Sequence, residues 1–540
     1  MHATMMDYPL TLVPLLERAG KLFPDTEIVS RRPDKSLHRY RTADFCRRAR
    51  ALAAALQRAG LAKGEAVATL MWNNSAHLEA YFGVPCAGGV VLTLNLRLPP
   101  ADLTYIVNHA KPRFLIIDDV LLPLYEQFKK DVALDRVFVV RWNKGSLADG
   151  LSDYDSFIEP GSDGFVYPAL AEGDAAGMCY TSGTTGKPKG VVYSHRALVL
   201  HSLAISLPDV HAFSHRECVM PVVPMFHANA WGHPFACVML GAKQVFPGPH
   251  LDAESLLDLC ANEGVTLTAG VPTVWLAVVQ ALDANPTRWR LKPGMRVLTG
   301  GSAAPEGLLR GLERHGLKAM HGWGMTEMAP VGALYSRKLK LDALDTDARY
   351  RHLTRQGLPL PLVEMRVVND AGEAPWDGES MGELQVRGPF IAGRYHNAPE
   401  AADRWTGDGW FKTGDVVTID ADGYMKLADR TKDLVKSGGE WISSVELENA
   451  LMSHPAVAEA AVIAIQHPKW QERPLAAVVL KKDAQATAES LRAHLAERFA
   501  KWWLPDAIVF IDAIPRTSTG KFQKAVLRER FKDWQWDKAV

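Results

Sequence analysis

Over about the first 360 residues, apolar positions with the spacing of an amphipathic helix alternate with short continuous apolar runs. This alternation predicts helices and strands in succession. Residues 43–59 show the spacing of an amphipathic helix, and the short apolar run 66–71 after them predicts a buried strand. The same patterns predict strands at 114–118, 137–140 and 265–269, and helices at 251–264 and 272–282. This order favours an α/β fold with parallel sheets, whose loops meet at the strand ends where ligands usually bind.

The pattern changes near residue 362, and the rest of the chain divides into two further units. Short strands separated by Gly and Asp turns predict a β-rich subdomain that ends near Asp429. After it, strands are predicted at 458–465 and 475–480, and helices at 444–452, 488–501 and beyond 521. We therefore predict a large N-terminal domain over 1–429, with two α/β subdomains and the β-rich one, and a small mobile α+β domain over 430–540.

Composition and charge narrow the class of protein. The 540 residues include 61 Lys and Arg against 61 Asp and Glu, and 47% are hydrophobic, so neither nucleic-acid binding nor a disordered chain is predicted. The six cysteines are scattered without CxxC spacing, so neither a zinc site nor a disulfide framework is predicted. We expect a cytoplasmic enzyme, because the sequence has no signal-peptide pattern and no apolar run of about 18 residues. Peripheral contact with a membrane stays open.

Residues 180–190 form the most informative segment, because glycines, hydroxyl groups and two lysines follow directly after an apolar run. Glycines allow backbone N–H groups to turn toward an anion, while hydroxyl and ammonium groups add donors and positive charge. The segment therefore predicts a phosphate-binding loop. It differs from the P-loop, because Pro188 follows Lys187 and no glycine stands five residues before Gly186.

Seven further blocks accompany this loop, and they occupy 224–231, 299–305, 322–327, 410–415, 429–433, 436–441 and 515–521. Together with the loop they resemble the adenylate-forming acyl-CoA synthetases, and within them the medium- and long-chain fatty acyl-CoA synthetases, over nearly the whole chain. The resemblance implies that the large domain is an adenylation domain and that the reaction has two steps. A carboxylate attacks the α-phosphate of ATP, and the thiol of coenzyme A then captures the acyl adenylate.

The resemblance also implies a nucleotide site. Thr181 and Glu327 would hold Mg²⁺ on the β- and γ-phosphates, with the catalytic residue Thr326 beside them. The other implied contacts with ATP are Ser182, Gly183, Thr184, Thr185 and Lys189 of the loop, Gly301, His321, Gly322 and Trp323 near the base, and Asp415 and Arg430 at the ribose. Trp323 stands where the family most often has Tyr, which preserves stacking and removes a phenolic hydroxyl.

Lys521 is implied to be the catalytic lysine of the first step. As an exposed and movable side chain beyond a Gly-containing turn, it would bridge the carboxylate and the α-phosphate while charge builds. The second step needs the small domain to turn about a hinge, which the resemblance places at Lys432. The implied contacts with the pantetheine of coenzyme A after that rotation are Lys436, Gly438, Gly439 and Trp441.

The block 224–231 and the small residues after 299 are implied to bind the acid. Trp231 would close the acyl pocket as a gate, and the small residues Gly300, Ser302, Ala303 and Ala304 leave space for a tail. Gly301 is also assigned to the substrate. His227 is assigned to catalysis and substrate binding near the thiol entrance. No acidic residue replaces it, which argues against an amino acid substrate, because a buried ammonium would lack a partner. The predicted partner is a small-molecule carboxylic acid.

Ordinary structural roles compete with these assignments. They are a helix-start carboxylate for Glu327, a turn residue for Asp415, a surface ion pair for Arg430, core packing for Trp323, a core histidine for His227 and a solvated basic tail for Lys521.

Other functions and the oligomeric state also stay open. A ligase for a short thioether or branched acid, such as 3-methylthiopropionate, shares the same Trp and Gly blocks. Transfer of the acyl group to a carrier-protein phosphopantetheine, or oxidation of the adenylate as in luciferases, is a second alternative. An inactive nucleotide-binding protein is a third, and the presence of Glu327 and Lys521 argues against it. We also expect a homodimer, and the apolar segment 8–16 would dock a partner or pack on its own domain.

Overall fold

The computed structural model describes residues 1, 3–143, 145–181, 187–438, 440–516 and 521–536. The predicted contacts Ser182, Gly183, Thr184, Thr185 and Gly439 lie outside the described residues.

Helices and strands succeed one another along the chain as the spacing of apolar residues predicts. The helices are α1 Leu12–Leu22, α2 Thr42–Arg58, α3 Ser75–Cys86, α4 Pro100–Ala110, α5 Leu122–Tyr125, α6 Tyr154–Ile158, α7 His195–Ser206, α8 His233–Leu240, α9 Ala253–Glu263, α10 Pro272–Ala284, α11 Glu306–Arg314, α12 Thr346–Leu353, α13 Ser444–Met452, α14 Ala488–Ala496 and α15 Lys524–Arg530. The strands are β1 Glu27–Arg31, β2 Leu37–Arg41, β3 Ala66–Leu70, β4 Val90–Thr93, β5 Phe114–Asp118, β6 Arg136–Val140, β7 Leu151–Asp153, β8 Ala175–Tyr180, β9 Gly190–Ser194, β10 Cys218–Pro221, β11 Lys243–Phe246, β12 Leu267–Gly270, β13 Arg296–Thr299, β14 Lys318–Gly324, β15 Val331–Leu334, β16 Leu358–Pro359, β17 Glu364–Asn369, β18 Gly372–Glu373, β19 Gly382–Arg387, β20 Phe411–Ile419, β21 Met425–Arg430, β22 Val435–Ser437, β23 Glu440–Ile442, β24 Val457–His467, β25 Gln471–Leu480 and β26 Ala507–Phe510.

Two mainly parallel sheets form the α/β part of the large domain. Their strand orders are β16-β15-β14-β13-β12-β10-β11-β1-β2 and β7-β6-β5-β3-β4-β8-β9. Strands such as β3 and β5 are buried along their whole length, as expected of parallel strands covered on both faces. A third sheet, β18-β17-β19-β20-β21, is antiparallel, and the small domain has its own sheet, β23-β22-β25-β24 with β26 on β25. The predicted fold class is therefore confirmed.

The observed element bounds agree with most of the predicted ones and differ where tertiary contacts intervene. Strand β5 and helix α13 have the predicted bounds. The prediction of one helix over 488–501 is wrong, because α14 ends at Ala496. Beyond that point Phe499 and Trp503 stack with ring centroids 5.4 Å apart and pack against the core of the small domain. Burial of these two rings outweighs the local preference to continue the helix.

The apolar segment near the N-terminus packs on its own domain. In α1, Leu12, Leu16 and Ala19 are fully buried, and the helix lies against α2 and α8. This packing fits the second of the two roles left open for residues 8–16, and docking of a partner there stays a prediction. Among the described residues, no helix combines the length and the apolar character that crossing a membrane requires.

Candidate active site

A cavity of about 590 Å³ lies at the carboxyl ends of β10, β12 and β13, the edge at which parallel strands usually present a ligand site. A second cavity of about 230 Å³ adjoins it. The predicted site residues that line the larger cavity are Thr181, Lys189, His227, Trp231, Gly300, Gly301, Gly322, Trp323, Thr326, Glu327, Arg430, Lys432 and Lys521. Asp415 lines the smaller cavity, and Arg430, Lys432 and Lys521 line both. Residues from both domains thus share one cleft.

Glu327 and Thr181 lie on the phosphate-loop side of the cleft. The backbone N–H of Thr181 donates to the carbonyl oxygen of Lys189 at 2.9 Å, and the N–H of Lys189 donates to Thr181 Oγ1 at 3.1 Å. These two bonds close the neck of the loop. The Glu327 side chain is buried at the short turn after β14, so its placement is not that of a solvated helix-start carboxylate.

Tyr395 is a cleft residue that the sequence did not predict. Its hydroxyl donates to Glu327 Oε1 at 2.5 Å, and its ring lies 5.9 Å from Lys189 Nζ. Burial, and after it the neighbouring Glu327, raises the pKa of Tyr395 well above its usual value, which keeps the phenol a donor. The sequence carries no signal for this contact, because 68 positions separate the two residues.

Asp415 is held from two sides. The indole Nε1–H of Trp323 donates to Asp415 Oδ2 at 2.8 Å, and Arg430 Nε lies 3.1 Å from Asp415 Oδ1. Asp415 and Arg430 are also register partners of β20 and β21, so the antiparallel pairing places them together. The indole that the sequence analysis assigned to stacking alone therefore also fixes a carboxylate. Because Arg430 contacts a buried carboxylate, its contact is not the surface ion pair that was the competing role for this residue.

Lys521 enters the cleft from the small domain. It is half-buried, so the expectation of an exposed side chain is wrong, because the side chain lies in the cleft beside Gly301 of the large domain. A Cβ atom added to Gly301, which has φ +82°, would lie 3.4 Å from Lys521 Cε. Burial, and after it the nearby Arg430, lowers the pKa of Lys521 to about 8, while Asp415 and Glu327 oppose the change. The ammonium therefore sits among the groups that the sequence assigned to the nucleotide.

Trp231 borders the cleft at the end of an unusual turn. Ala228, Asn229, Ala230 and Trp231 all have left-handed backbone angles, with φ of 44°, 51°, 46° and 57°. Non-glycine residues rarely adopt this conformation, and then usually singly. The turn directs the Trp231 ring at Gly300, where an added Cβ would lie 3.3 Å from Trp231 Cη2.

His227 lines the cavity just before this turn and is half-buried, so it is not a fully enclosed core histidine. Burial is the main cause that lowers its pKa to about 3, and the charges of Lys521 and Arg97 add to the effect. The imidazole is therefore neutral near pH 7 and presents a donor and an acceptor rather than a charge.

Some predicted site residues lie outside the two cavities. His321 is fully buried behind the cleft wall, where its Nε2 accepts the backbone N–H of Ala304 at 3.3 Å. Lys436, Gly438 and Trp441 lie on the hairpin of β22 and β23, and among the described residues that line the cavities none belongs to this hairpin. Trp441 packs instead against a small cluster formed by Val416, Ala428 and Leu434.

Comparison with known proteins yields matches over most of the chain. The sequence profile described as AMP-binding enzyme matches residues 16–396, and that of the AMP-binding enzyme C-terminal domain matches residues 446–521. The chain is 50% identical to a long-chain-fatty-acid–CoA ligase of Thermus thermophilus over 98% of this chain and 97% of that protein.

Two other relatives and one solved structure extend the comparison. A 3-methylmercaptopropionyl-CoA ligase of Ruegeria pomeroyi is 42% identical over 99% of both chains. A medium-chain-fatty-acid–CoA ligase of Ectopseudomonas oleovorans is 41% identical over 99% of this chain and 98% of its own length. The crystal structure of an anthranilate CoA ligase with anthranoyl-AMP superposes with a TM-score of 0.86, covering 98% of this chain and 99% of that one; at 24% identity this is a likeness of fold.

Proposed function

Because the chain belongs to the family of AMP-binding enzymes and is an AMP-forming acyl-CoA synthetase, we propose that it joins a medium- or long-chain fatty acid to coenzyme A. The reaction consumes ATP and releases AMP and pyrophosphate. One observation carries the choice of acid. Lys521, Arg430 and Glu327 face the same cavity as an apolar wall built from Val223, Val271, Leu298 and Val331. Charged groups for a carboxylate and a polyphosphate thus adjoin apolar surface for a hydrocarbon tail.

In the first step, an oxygen of the acid's carboxylate bonds to the α-phosphorus of ATP while the bond from that phosphorus to pyrophosphate breaks. Lys521 lines this cavity, and in this proposal its ammonium bridges the carboxylate and the α-phosphate and stabilises the negative charge that builds between them. Asp415 accepts the ribose hydroxyls. Trp323 and Arg430 hold its carboxylate in place for that contact, so the nucleotide binds to a preorganised group.

Mg²⁺ suits the donors on the phosphate-loop side. Magnesium in nucleotide sites takes one or two protein oxygens and completes its shell with phosphate and water. The buried Glu327 carboxylate, with Tyr395 on one oxygen, and Thr181 at the neck of the loop provide such donors. When bound, the ion would neutralise charge on the β- and γ-phosphates. The protein itself supplies the orientation of Glu327 and the positive charge of Lys189.

In the second step, the thiolate of coenzyme A attacks the acyl carbon, and the bond from that carbon to the AMP oxygen breaks. This step requires Lys521 to leave and the hairpin of β22 and β23 to approach, by rotation of the small domain, residues 430–540, about a hinge at Lys432. Lys436, Gly438, Gly439 and Trp441 would then line the path of the pantetheine. The proposal further includes that the enzyme is cytoplasmic and that it forms a homodimer.

A short thioether acid such as 3-methylthiopropionate is the second candidate. The close approach of the Trp231 ring to Gly300 favours it, because the ring leaves little room beyond that point. The 42% identity to a 3-methylmercaptopropionyl-CoA ligase supports the same choice.

Pyrophosphate release with ATP, Mg²⁺ and coenzyme A separates the candidates. The acids are a straight-chain series from propionate to palmitate, together with 3-methylthiopropionate, and Lys521→Ala serves as the inactive control. A maximum at medium or long chains that the control abolishes supports the fatty acid. A maximum at the thioether acid transfers the proposal to the second candidate, and no release with any acid contradicts both.

A further inference from the structure

A buried polar network joins the large domain to the segment that carries Lys521, and the chemistry above does not use it. Asp429 lies on β21, just before the hinge proposed at Lys432. Ser444 begins α13, and Lys524 begins α15 one turn after Lys521. Asp429 thus lies before the hinge, whereas Ser444 and Lys524 lie beyond it.

The contacts form a continuous chain. Oδ2 of Asp429 accepts the backbone N–H of Ser444 at 2.7 Å and also its hydroxyl. The Ser444 hydroxyl in turn accepts a hydrogen bond from Lys524 Nζ. The same ammonium pairs with Glu448 Oε1 at 2.7 Å, and that oxygen also accepts the N–H of Val462 at 2.8 Å.

The side chains of this network are almost completely withdrawn from water. Asp429 is 1% exposed, Ser444 0%, Glu448 6% and Lys524 9%. Burial raises the pKa of Glu448 to about 7 and raises that of Asp429, and the ammonium of Lys524 opposes both changes. Buried charges of this kind persist only while their partners remain in place, because separation leaves them unpaired. The network therefore favours one relative position of its members.

A second pair spans the same contact at the surface. Lys426 Nζ on β21 lies 2.7 Å from Glu446 Oε1 on α13, and the Lys426 side chain is 40% exposed. The Ser443 hydroxyl also donates to the carbonyl oxygen of Ala428. Strand β21 precedes the proposed hinge and helix α13 follows it. Both buried and exposed contacts therefore join segments on opposite sides of that hinge.

We propose that Asp429, Ser444 and Lys524 are positioning residues that hold the small domain where Lys521 reaches the cleft, so that they favour adenylation over thioester formation. This inference rests on the proposed function. Asp429 must release Ser444 when the domain turns, because the two residues lie on opposite sides of the hinge. Lys524 links the state of this contact to Lys521 through the short segment between them.

The test measures the two half-reactions separately in the full-length enzyme. Adenylation is followed as a single-turnover release of pyrophosphate from ATP and acid without coenzyme A. Thioester formation is followed with coenzyme A and chemically synthesised acyl adenylate. Ser444→Ala removes the hydroxyl between Asp429 and Lys524 and leaves both charges in place. We expect adenylation to slow about tenfold, while thioester formation stays unchanged or becomes faster.

Two further variants control for the possibility that Ser444→Ala disturbs folding. Lys426→Gln breaks the exposed pair and is expected to slow adenylation about twofold without unfolding the domain. Ser453→Ala, at the other end of α13, removes a hydroxyl whose partners among the described residues, Ala450 and His494, both lie in the small domain, and both half-reactions should keep their wild-type rates.

The outcomes separate this inference from the proposed function. Equal losses in both half-reactions for Ser444→Ala, or unchanged adenylation in Ser444→Ala and Lys426→Gln, would overturn the positioning role. A wild-type enzyme that forms no adenylate with any acid would overturn the proposed function and the inference with it.

Discussion

The indole N–H of Trp323 donates a hydrogen bond of 2.8 Å to Oδ2 of Asp415, although 92 positions separate the two residues. Both side chains are buried, and Arg430 Nε lies 3.1 Å from the other carboxylate oxygen. The carboxylate is therefore fixed between an indole and a guanidinium. Its remaining lone pairs can accept hydroxyl groups without a change of orientation.

Replacing Trp323 by Phe tests this relationship. Trp323→Phe keeps an aromatic face and removes the donor, so we expect the KM for ATP to rise about fivefold to tenfold with a smaller change in kcat. Steady-state kinetics with varied ATP measures the effect. Trp376→Phe, at an exposed position between β18 and β19, should leave the KM unchanged. An unaltered KM in Trp323→Phe would mean that Arg430 alone orients Asp415.

The lowered pKa of Lys521 predicts how adenylation depends on pH. Because this pKa lies at about 8, the ammonium is present below that pH and is lost above it. We therefore expect kcat/KM for adenylation, which reports the free enzyme, to fall as pH rises through about 8. Arg430→Met lowers the rate but removes a neighbouring positive charge, so its midpoint should shift to higher pH. Equal midpoints in both proteins would contradict the role of Arg430 in this pKa.

Gly300 is predicted to tolerate no side chain. An added Cβ would lie 2.9 Å from the carbonyl oxygen of Gly322 and 3.3 Å from the Trp231 ring. Gly300→Ala should therefore displace Trp231 or the strand end, reducing activity more than about tenfold and stability by about 1 to 3 kcal/mol. Gly307→Ala is the matched control, because no atom outside its own stretch of helix α11 lies within 4 Å of an added Cβ there. Chemical denaturation and the acid panel measure both variants.

The contact between Glu327 and Tyr395 predicts that variants of the two residues raise the magnesium requirement to different extents. Glu327→Gln removes the buried carboxylate, so half-maximal pyrophosphate release should need about tenfold more Mg²⁺. Tyr395→Phe removes only the hydrogen bond to that carboxylate and should need about twofold to fivefold more. A magnesium titration at saturating ATP checks both, with the exposed Glu373→Gln as control. An unchanged requirement in Glu327→Gln would remove this residue from the proposed ion site.

Much of the fold followed from local patterns in the sequence. The bounds of β5 and α13 were predicted correctly, because apolar spacing and flanking polar residues define them within a few positions. The helix predicted at 488–501 was too long, because its end depends on two aromatic rings that pack into a core assembled from distant segments. Local preference decides an element only where tertiary packing does not oppose it.

The sequence by itself determined which chemical groups are available: residues 180–190 predict a phosphate-binding loop through their residue types, and the blocks at 322–327, 429–433 and 515–521 predict nucleotide and carboxylate chemistry through their resemblance to a family. Only the tertiary structure decided how these groups meet. It placed Lys521 half-buried beside Gly301. It also brought the Tyr395 hydroxyl within hydrogen-bond distance of Glu327, and the Trp323 indole N–H within hydrogen-bond distance of Asp415. The reason is physical. Spacing along the chain records each residue's exposure to core or solvent, whereas a hydrogen bond or a pKa depends on partners that packing brings from distant positions.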